Sequence, residues 1–465
     1  MKIVYWIYNF LWGDLVKIPL PGGNSVALSL LVLILVPAGI FFMIRTRFLP
    51  IRLFPDMIKI TVSTEKKSDG LSGLQALIVS TATRVGMGNL VGVVAAVSAG
   101  GAGAVFWMWV TAIVGSATAF IEATLAQIYK EKDPLYGGYR GGPAYFLHSL
   151  AERVRGKKLK RSVLAVLFAI SGLICWCGIS QVIGNSVSTS LKNAFHIPTL
   201  WTAVALTIVS AVIVLRKNAT VKVLDVVVPI MAGCYFFVTV FIILKNVGQL
   251  PAIFERIFAE AFGIRQVVAG GFGAVIMNGV KRGLFSNEAG SGSAPCAAAA
   301  ADIDHPTKEG LLQALGVFID TLVICSCSAM LMLLAPEETV SGLAGMDLLQ
   351  SAMEYHMGQA GVVFIAVMLL LFSFSTFIGI LFYARSNVAY LFGDNWLSQT
   401  LYKILALVML FVGCQAAYTF VWDLGDVGIG LMTIFNMIAL FPLSKEAIAS
   451  LRDYETKKKK GELSL

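Results

Sequence analysis

Apolar residues along this chain arrive in blocks of about 18 to 28, separated by shorter polar stretches. At about 1.5 Å per helical residue, each block is long enough to cross the roughly 30 Å hydrocarbon core of a bilayer. The pattern predicts an early span over Ser25–Met43, a polar stretch to about residue 70, and ten further spans. These lie near 71–99, 103–129, 162–190, 199–215, 222–246, 266–285, 310–334, 358–392, 398–418 and 425–443. Residues 1–24 and 250–263 are amphipathic and predict short helices lying in the membrane interface. The link 131–161 is basic, and its GGYRGGPAYFLHSL segment could re-enter the membrane.

Composition sharpens this picture. Of 465 residues, 57% are apolar and 14% charged, whereas a soluble domain keeps about a quarter charged to face water. Mean hydropathy is +0.79. A soluble enzyme, a nucleic-acid-binding domain and a disordered scaffold are excluded. The net charge of +9 does not point to nucleic acid, because the basic residues sit mostly in alternate loops. With the N-terminus outside, 29 Lys and Arg fall on the inner side, among them Lys281, Arg282, Arg385 and Lys403, and six on the outer side. This expectation is eleven spans, N-out and C-in, with the Lys457–Lys460 tail in the cytoplasm of a cell-membrane protein. The seven cysteines lie in or beside apolar segments and read as small core residues; the four histidines form no cluster, and no signal peptide leads the chain.

Two glycine-rich segments exceed the background expected of membrane helices. Thr83-Arg-Val-Gly-Met-Gly-Asn-Leu-Val-Gly92 falls midway through its span, with Arg84 and Asn89 at bilayer depth. Gly88-x-x-x-Gly92 alone reads as a packing seam. Polar side chains at that depth favour a broken helix whose freed backbone groups bind a polar ligand. Gly270-Gly-Phe-Gly-Ala-Val-Ile-Met-Asn-Gly279 is a second candidate break. The two segments open the first and sixth of the ten later spans. Two halves of five, an odd number, would have opposite orientation, as in an inverted repeat. The boundaries expected are 1–70 for the N-terminal segment, first span and link, 71–246 and 247–445 for the repeats, and 446–465 for the basic tail.

GNLVGV at 88–93, GGAGAVFWMW at 100–109, GGPAYF at 141–146, RGLFSNEAGSGSAP at 282–295, DHP at 304–306, GVFIDT at 316–321 and FSFSTFIG at 372–379 resemble the alanine/glycine:cation symporter family, of the amino acid-polyamine-organocation superfamily. The resemblance runs from about residue 1 to 445. It implies an all-α polytopic fold, one N-terminal helix before a five-plus-five core. It also implies Na⁺ as coupling ion, no organic cofactor, and uptake of a small neutral amino acid by alternating access.

Val85-Gly-Met-Gly-Asn89 is further similar to the unwound first core helix of the neurotransmitter:sodium symporters. That likeness implies a substrate carboxylate on the amides of Met87 and Gly88, with Gly86 and Asn89 beside it. It implies a sodium ion between the carbonyls of Ala82 and Val85, the Phe372 carbonyl and the hydroxyls of Ser375 and Thr376. Uncharged oxygens suit a hard cation, and a half-helix N-terminus suits a carboxylate. The family resemblance also implies Asn185 at the substrate. Gln181 shares its helical face, although both residues equally suit interhelical hydrogen bonds. Phe272 and Met277 flank the second candidate break, and Ile380 lies one turn beyond Thr376. Arg84 should pair with Glu122 or Asp320, as gating or structural charges, because an unpaired intramembrane charge is costly.

Met87, Ile183 and Ile380 stand where family members commonly carry threonine, glutamine and tryptophan. Alanine or glycine preference is the property this changes most; glutamine or serine, or proton coupling, are alternatives. An intramembrane enzyme using Ser291 or Ser293 with His305 is a rival from another class, and a cation channel is a third. Neither has the required arrangement of groups in the sequence.

Overall fold

The computed structural model describes residues 2–19, 25–62, 75, 77–78, 84–216, 221–264 and 271–463. Helix α1 (Lys2–Trp12) leads into a hairpin of β1 (Val16–Pro19) and β2 (Ser25–Leu28), paired antiparallel with Val16 opposite Leu28. The first span therefore starts as strand and becomes α2 (Leu30–Arg45). Short helices α3 (Leu49–Arg52) and α4 (Phe54–Val62) follow. The described part of helix α5 runs from π turns (Arg84–Gly92) into tighter α geometry (Val93–Gly100). Next come α6 (Gly103–Ile128), the short hairpin β3 (Glu131–Lys132) and β4 (Tyr139–Arg140), and α7 (Pro143–Arg155). The GGYRGGPAYFLHSL segment is thus hairpin and helix, with Pro143–Leu147 buried.

Helices α8 (Val163–Phe195), α9 (Thr199–Val214), α10 (Val221–Lys245) and α11 (Leu250–Ala261) complete the first part. The second part holds α12 (Gly271–Asn287), α13 (Pro295–Ala298), α14 (Pro306–Leu333, with π turns at Phe318–Cys325), α15 (Glu337–Val340) and α16 (Gly345–Met357). It ends with α17 (Gln359–Phe392), α18 (Trp396–Gln415) and α19 (Tyr418–Lys459). Among the described residues, α6, α8, α10, α14, α17, α18 and α19 are long and apolar enough to cross a membrane. Leu30–Arg45, Gly86–Gly100 and Thr199–Val214 are shorter apolar helices.

The second candidate break lies elsewhere than the sequence suggested. Residues 271–287 form one uninterrupted helix; Gly271 at its start has a positive φ of 67°, whereas Gly273, Gly279 and Gly283 serve close packing. A Cβ on Gly273 would fall 2.7 Å from the Ala27 nitrogen, and one on Gly279 would fall 2.5 Å from the Ala104 oxygen. The irregular backbone comes later, at 288–294, where Glu288, Gly290 and Gly292 have positive φ of 57°, 90° and 85°. A helix cannot continue through such left-handed positions. Lys281 and Arg282, counted above with a loop, are consequently buried in α12.

Helix α8 is the spine of one side, packed along α17, α18 and α19. Small residues bring these backbones together. A Cβ on Gly184 would meet the Leu410 oxygen at 2.2 Å, one on Gly413 the Gln181 oxygen at 2.2 Å, and one on Gly428 the Cys175 Cα at 2.4 Å. These are backbone atoms, so no side-chain rotation relieves the clash. Gly413→Leu is expected to destabilise the fold by about 3 kcal/mol, the upper end for overpacking. The thermal midpoint of the purified protein reads this directly, and an unchanged midpoint would show that α8 and α18 do not meet there.

Candidate substrate and ion site

The π turns at Arg84–Gly92 widen the backbone of α5, and side chains bond to its N–H groups. The Gly86 N–H donates to Asn89 Oδ1 at 2.9 Å. The Met87 N–H donates to Thr376 Oγ1 on α17 at 3.0 Å. Gly86 makes this approach possible, since a Cβ there would lie 2.1 Å from Thr376 Oγ1. On the opposite side, Gly88 faces the end of α12, where a Cβ on it would lie 3.4 Å from the Ser286 Cα. The turn is wedged between two helices, with Met87 and Asn89 wholly buried.

Asn89 is oriented in turn. Its Nδ2 donates to Asp320 Oδ1 at 2.6 Å and to the Asp320 carbonyl at 3.2 Å. The other carboxylate oxygen, Asp320 Oδ2, accepts from Ser286 at 3.0 Å and Thr321 at 2.7 Å. Ser286 and the Cys325 thiol lie 3.1 Å apart. Asp320 therefore links the start of α5, the end of α12 and the π turns of α14. On α17, Ser375 Oγ donates to the Phe372 carbonyl at 2.9 Å. Phe372 O, Ser375 Oγ and Thr376 Oγ1 form a buried oxygen cluster, and a Cβ on Gly86 would lie 3.6 Å from Phe372 O. Ile380 continues the same helical row and is buried.

Other expected site residues go elsewhere. Gln181 donates to Met409 Sδ at 3.3 Å and Asn185 to the Ala416 carbonyl at 2.7 Å, both towards α18. Phe272 packs against Gly263, and Met277 lies half-buried on the same helix. Phe272 is fourteen residues from Ser286, roughly 21 Å along α12. Glu122 accepts from the Gly290 amide at 3.1 Å and from Asn436 at 2.8 Å, so it braces the irregular stretch 288–294. Ala82 lies outside the described residues, as do the side chains of Arg84 and Val85. Ser291 and Ser293 bond to each other, whereas His305 faces Asp453 and caps α14.

A profile of the sodium:alanine symporter family matches residues 21–464. The chain belongs to the sodium:alanine symporter family. It is 40% identical over 436 residues to a probable sodium/glutamine symporter, GlnT, of Bacillus subtilis strain 168, covering 93% of this chain and 89% of that one. It is 39% identical to the amino-acid carrier protein AlsT of the same strain, covering 92% and 90%. It is 34% identical to the sodium/alanine symporter AgcS of Methanococcus maripaludis, covering 98% and 97%. Among solved structures, a mutant of the Eremococcus coleocola manganese transporter matches with a TM-score of 0.50 at 12% identity, covering 81% of this chain and 77% of that one. That likeness concerns the fold alone. The chain is a multi-pass membrane transporter and not an enzyme.

The sequence reading missed a second buried constellation beside this site. Asp426 on α19 accepts from both terminal nitrogens of Arg282 at 3.0 Å, and from Lys281 at 2.9 Å. The Arg282 guanidinium lies 3.9 Å from the Trp422 ring centroid, and Trp422 meets Phe285 edge-on. Helix α1 joins through Tyr8, bonded to Lys281 at 2.7 Å, and Trp12, bonded to the Asp426 carbonyl at 3.0 Å. The signal available was an acid one residue inside an apolar span, with two cations inside another. Asp426→Ala strands two buried cations, at a cost of about 3–5 kcal/mol. The thermal midpoint should fall accordingly, and further substitution of Lys281 and Arg282 by Met should recover most of the loss. No recovery would mean that Asp426 acts other than as their counter-charge.

Proposed function

We propose that this chain imports a small neutral amino acid with Na⁺ by alternating access. The observation that carries this reading is the contact between the start of α5 and the hydroxyl-bearing turn of α17. In one stroke it gathers the buried backbone amides of the π turns and a set of uncharged oxygens. A carboxylate suits the positive end of α5 at Met87 and Gly88, and Na⁺ suits the carbonyls of Ala82, Val85 and Phe372 with Ser375 and Thr376. Na⁺ in that set would brace α5 against α17 and complete the amino acid site. Asp320 would position Asn89, with Arg84 offsetting its charge or that of Glu122.

The architecture proposed is eleven spans, one leading helix and two inverted halves at 71–246 and 247–445. Helices α5 and α12 are the first of each half; π turns widen α5, and irregular backbone at 288–294 follows α12. N-out orientation still accords with the charge count, because taking Lys281, Arg282, Arg385 and Lys403 out of the loops leaves 25 basic residues against six. The polar end of α19 supports the common sidedness of the basic loops. It engages Arg52 through Glu455 and Asp56 through Lys458, and it also reaches Arg153 through Glu446.

For the substrate we infer a side chain somewhat larger than a methyl group. Met87 and Ile380 leave more room than the threonine and tryptophan common in the family. The name of the B. subtilis glutamine relative points the same way. Uptake of labelled alanine into proteoliposomes, competed by glycine, alanine, serine, valine, methionine and glutamine, tests the function and ranks substrates together. Uptake driven by a proton gradient without Na⁺ would refute sodium coupling.

Two variants address the parts separately. Thr376→Ala removes one hard oxygen and should raise the Na⁺ concentration for half-maximal uptake by about ten-fold, the worth of one strong polar contact. Wild-type sodium dependence in that variant would remove the ion from this turn. Ile380→Trp should shift preference towards glycine and alanine by about 1–3 kcal/mol, the worth of one or two methylenes. An unchanged ranking of inhibition constants would show that Ile380 does not line the pocket.

A further inference from the structure

Away from the central site, a small open cavity of about 40 Å³ lies where α9, α17, α18 and the 131–140 hairpin meet. Tyr136, Val214, Phe382, Arg385 and Lys403 are among its walls. The sequence reading counted Arg385 and Lys403 with the loops, yet both stand seven residues inside membrane helices. They are therefore about 10 Å from the turn joining α17 to α18.

Two cations at that depth need compensation, and the protein supplies little. Arg385 lies over the Phe382 ring at 3.9 Å and the Tyr136 ring at 5.0 Å. Its only close acceptor among the described residues is the Tyr139 carbonyl, at 3.5 Å, and its buried Nε has no hydrogen-bond partner. Asp133 is 3.9 Å away and already accepts the amides of Leu135 and Tyr136 at 3.0 Å each. Lys403 makes no hydrogen bond or ion pair among the described residues and feels the charge of Arg385. Arg140, the third cation of this end, is taken by Asp394. The five charges Arg140, Arg385, Lys403, Asp133 and Asp394 leave an excess of one positive charge.

One negative charge and two free oxygens are what a phosphodiester presents. Guanidinium and ammonium groups are its usual partners, and basic pockets between membrane helices are where lipid headgroups bind. The surroundings match a lipid, since Val212 on α9, Leu215 just after it, and Leu401 and Ile404 on α18 are exposed apolar side chains. We propose that Arg385 and Lys403 bind the phosphate of an anionic phospholipid, whose chains lie along α9 and α18. The cavity takes the phosphate oxygens and leaves the glycerol and chains outside.

The experiment uses the purified full chain in detergent, titrated with phosphatidylglycerol, with phosphatidylcholine, or with inorganic phosphate. Native mass spectra and the thermal midpoint are read for wild type, Arg385→Gln, Lys403→Gln and Lys403→Arg. Phosphatidylglycerol should stay bound to wild type and raise its midpoint, and phosphatidylcholine should do so far less. Each Gln variant should bind phosphatidylglycerol about ten-fold more weakly, the worth of one charge-assisted bond, whereas Lys403→Arg should keep wild-type binding. Should Arg385→Gln fail to fold, the half-exposed Lys403 pair of variants carries the comparison. Equal affinity in wild type and Lys403→Gln would overturn the proposal, as would equal stabilisation by the neutral lipid. Protection by inorganic phosphate with none from phosphatidylglycerol would assign the pocket to a soluble anion and overturn the lipid.

Discussion

A backbone amide in the interior of a membrane must find an acceptor, and the rest of this site follows from how α5 meets that demand. The described part of α5 begins with buried π turns, and side chains bond to the N–H groups there. Asn89 reaches back to Gly86, and Thr376 reaches across from another helix to Met87. The second bond makes the start of α5 dependent on the position of α17. A contact of this kind can be strengthened or released by a ligand at the same atoms, which a transporter requires of its two moving parts.

The buried charges extend that dependence. Asp320 joins Asn89 to Ser286 and Thr321, so the start of α5 also reports on the end of α12. Glu122 and Asn436 hold Gly290 just beyond that end. Arg282 and Lys281, five residues and more before it, are tied to Asp426. Irregular backbone at 288–294 is thus bracketed by polar contacts to α6, α14 and α19. Such groups are costly in a membrane, and their retention here marks where this protein needs a defined geometry and not merely a packed core.

Much of this was legible in the sequence. The membrane class and its long apolar helices follow from block length, and polar residues set among glycines singled out the candidate break at Gly86–Asn89, where the structure has π turns. The contact of that break with Thr376 was expected only through resemblance, because residues 289 positions apart have no local signature. The second break was misplaced because glycine has two uses in membrane helices. At Gly273 and Gly279 it permits close packing in a straight helix, whereas at Gly290 and Gly292 it takes a left-handed backbone. The residues near Gly292, with Pro295 after them, were the better sign of a break. Gln181 and Asn185 shared a helical face as expected, but a face alone does not name the neighbour, and here the neighbour is α18. Asp426 was overlooked because it stands at a span's edge, where charges usually meet water.

The central claim is that Na⁺ acts by holding the start of α5 against α17. Hydrogen–deuterium exchange of the segment 84–92, followed in the purified protein with Na⁺ or with K⁺ at equal ionic strength, tests it most directly. The account predicts slower exchange in that segment on adding Na⁺ and no change with K⁺. Equal exchange in the two salts, in a preparation that transports, would contradict it.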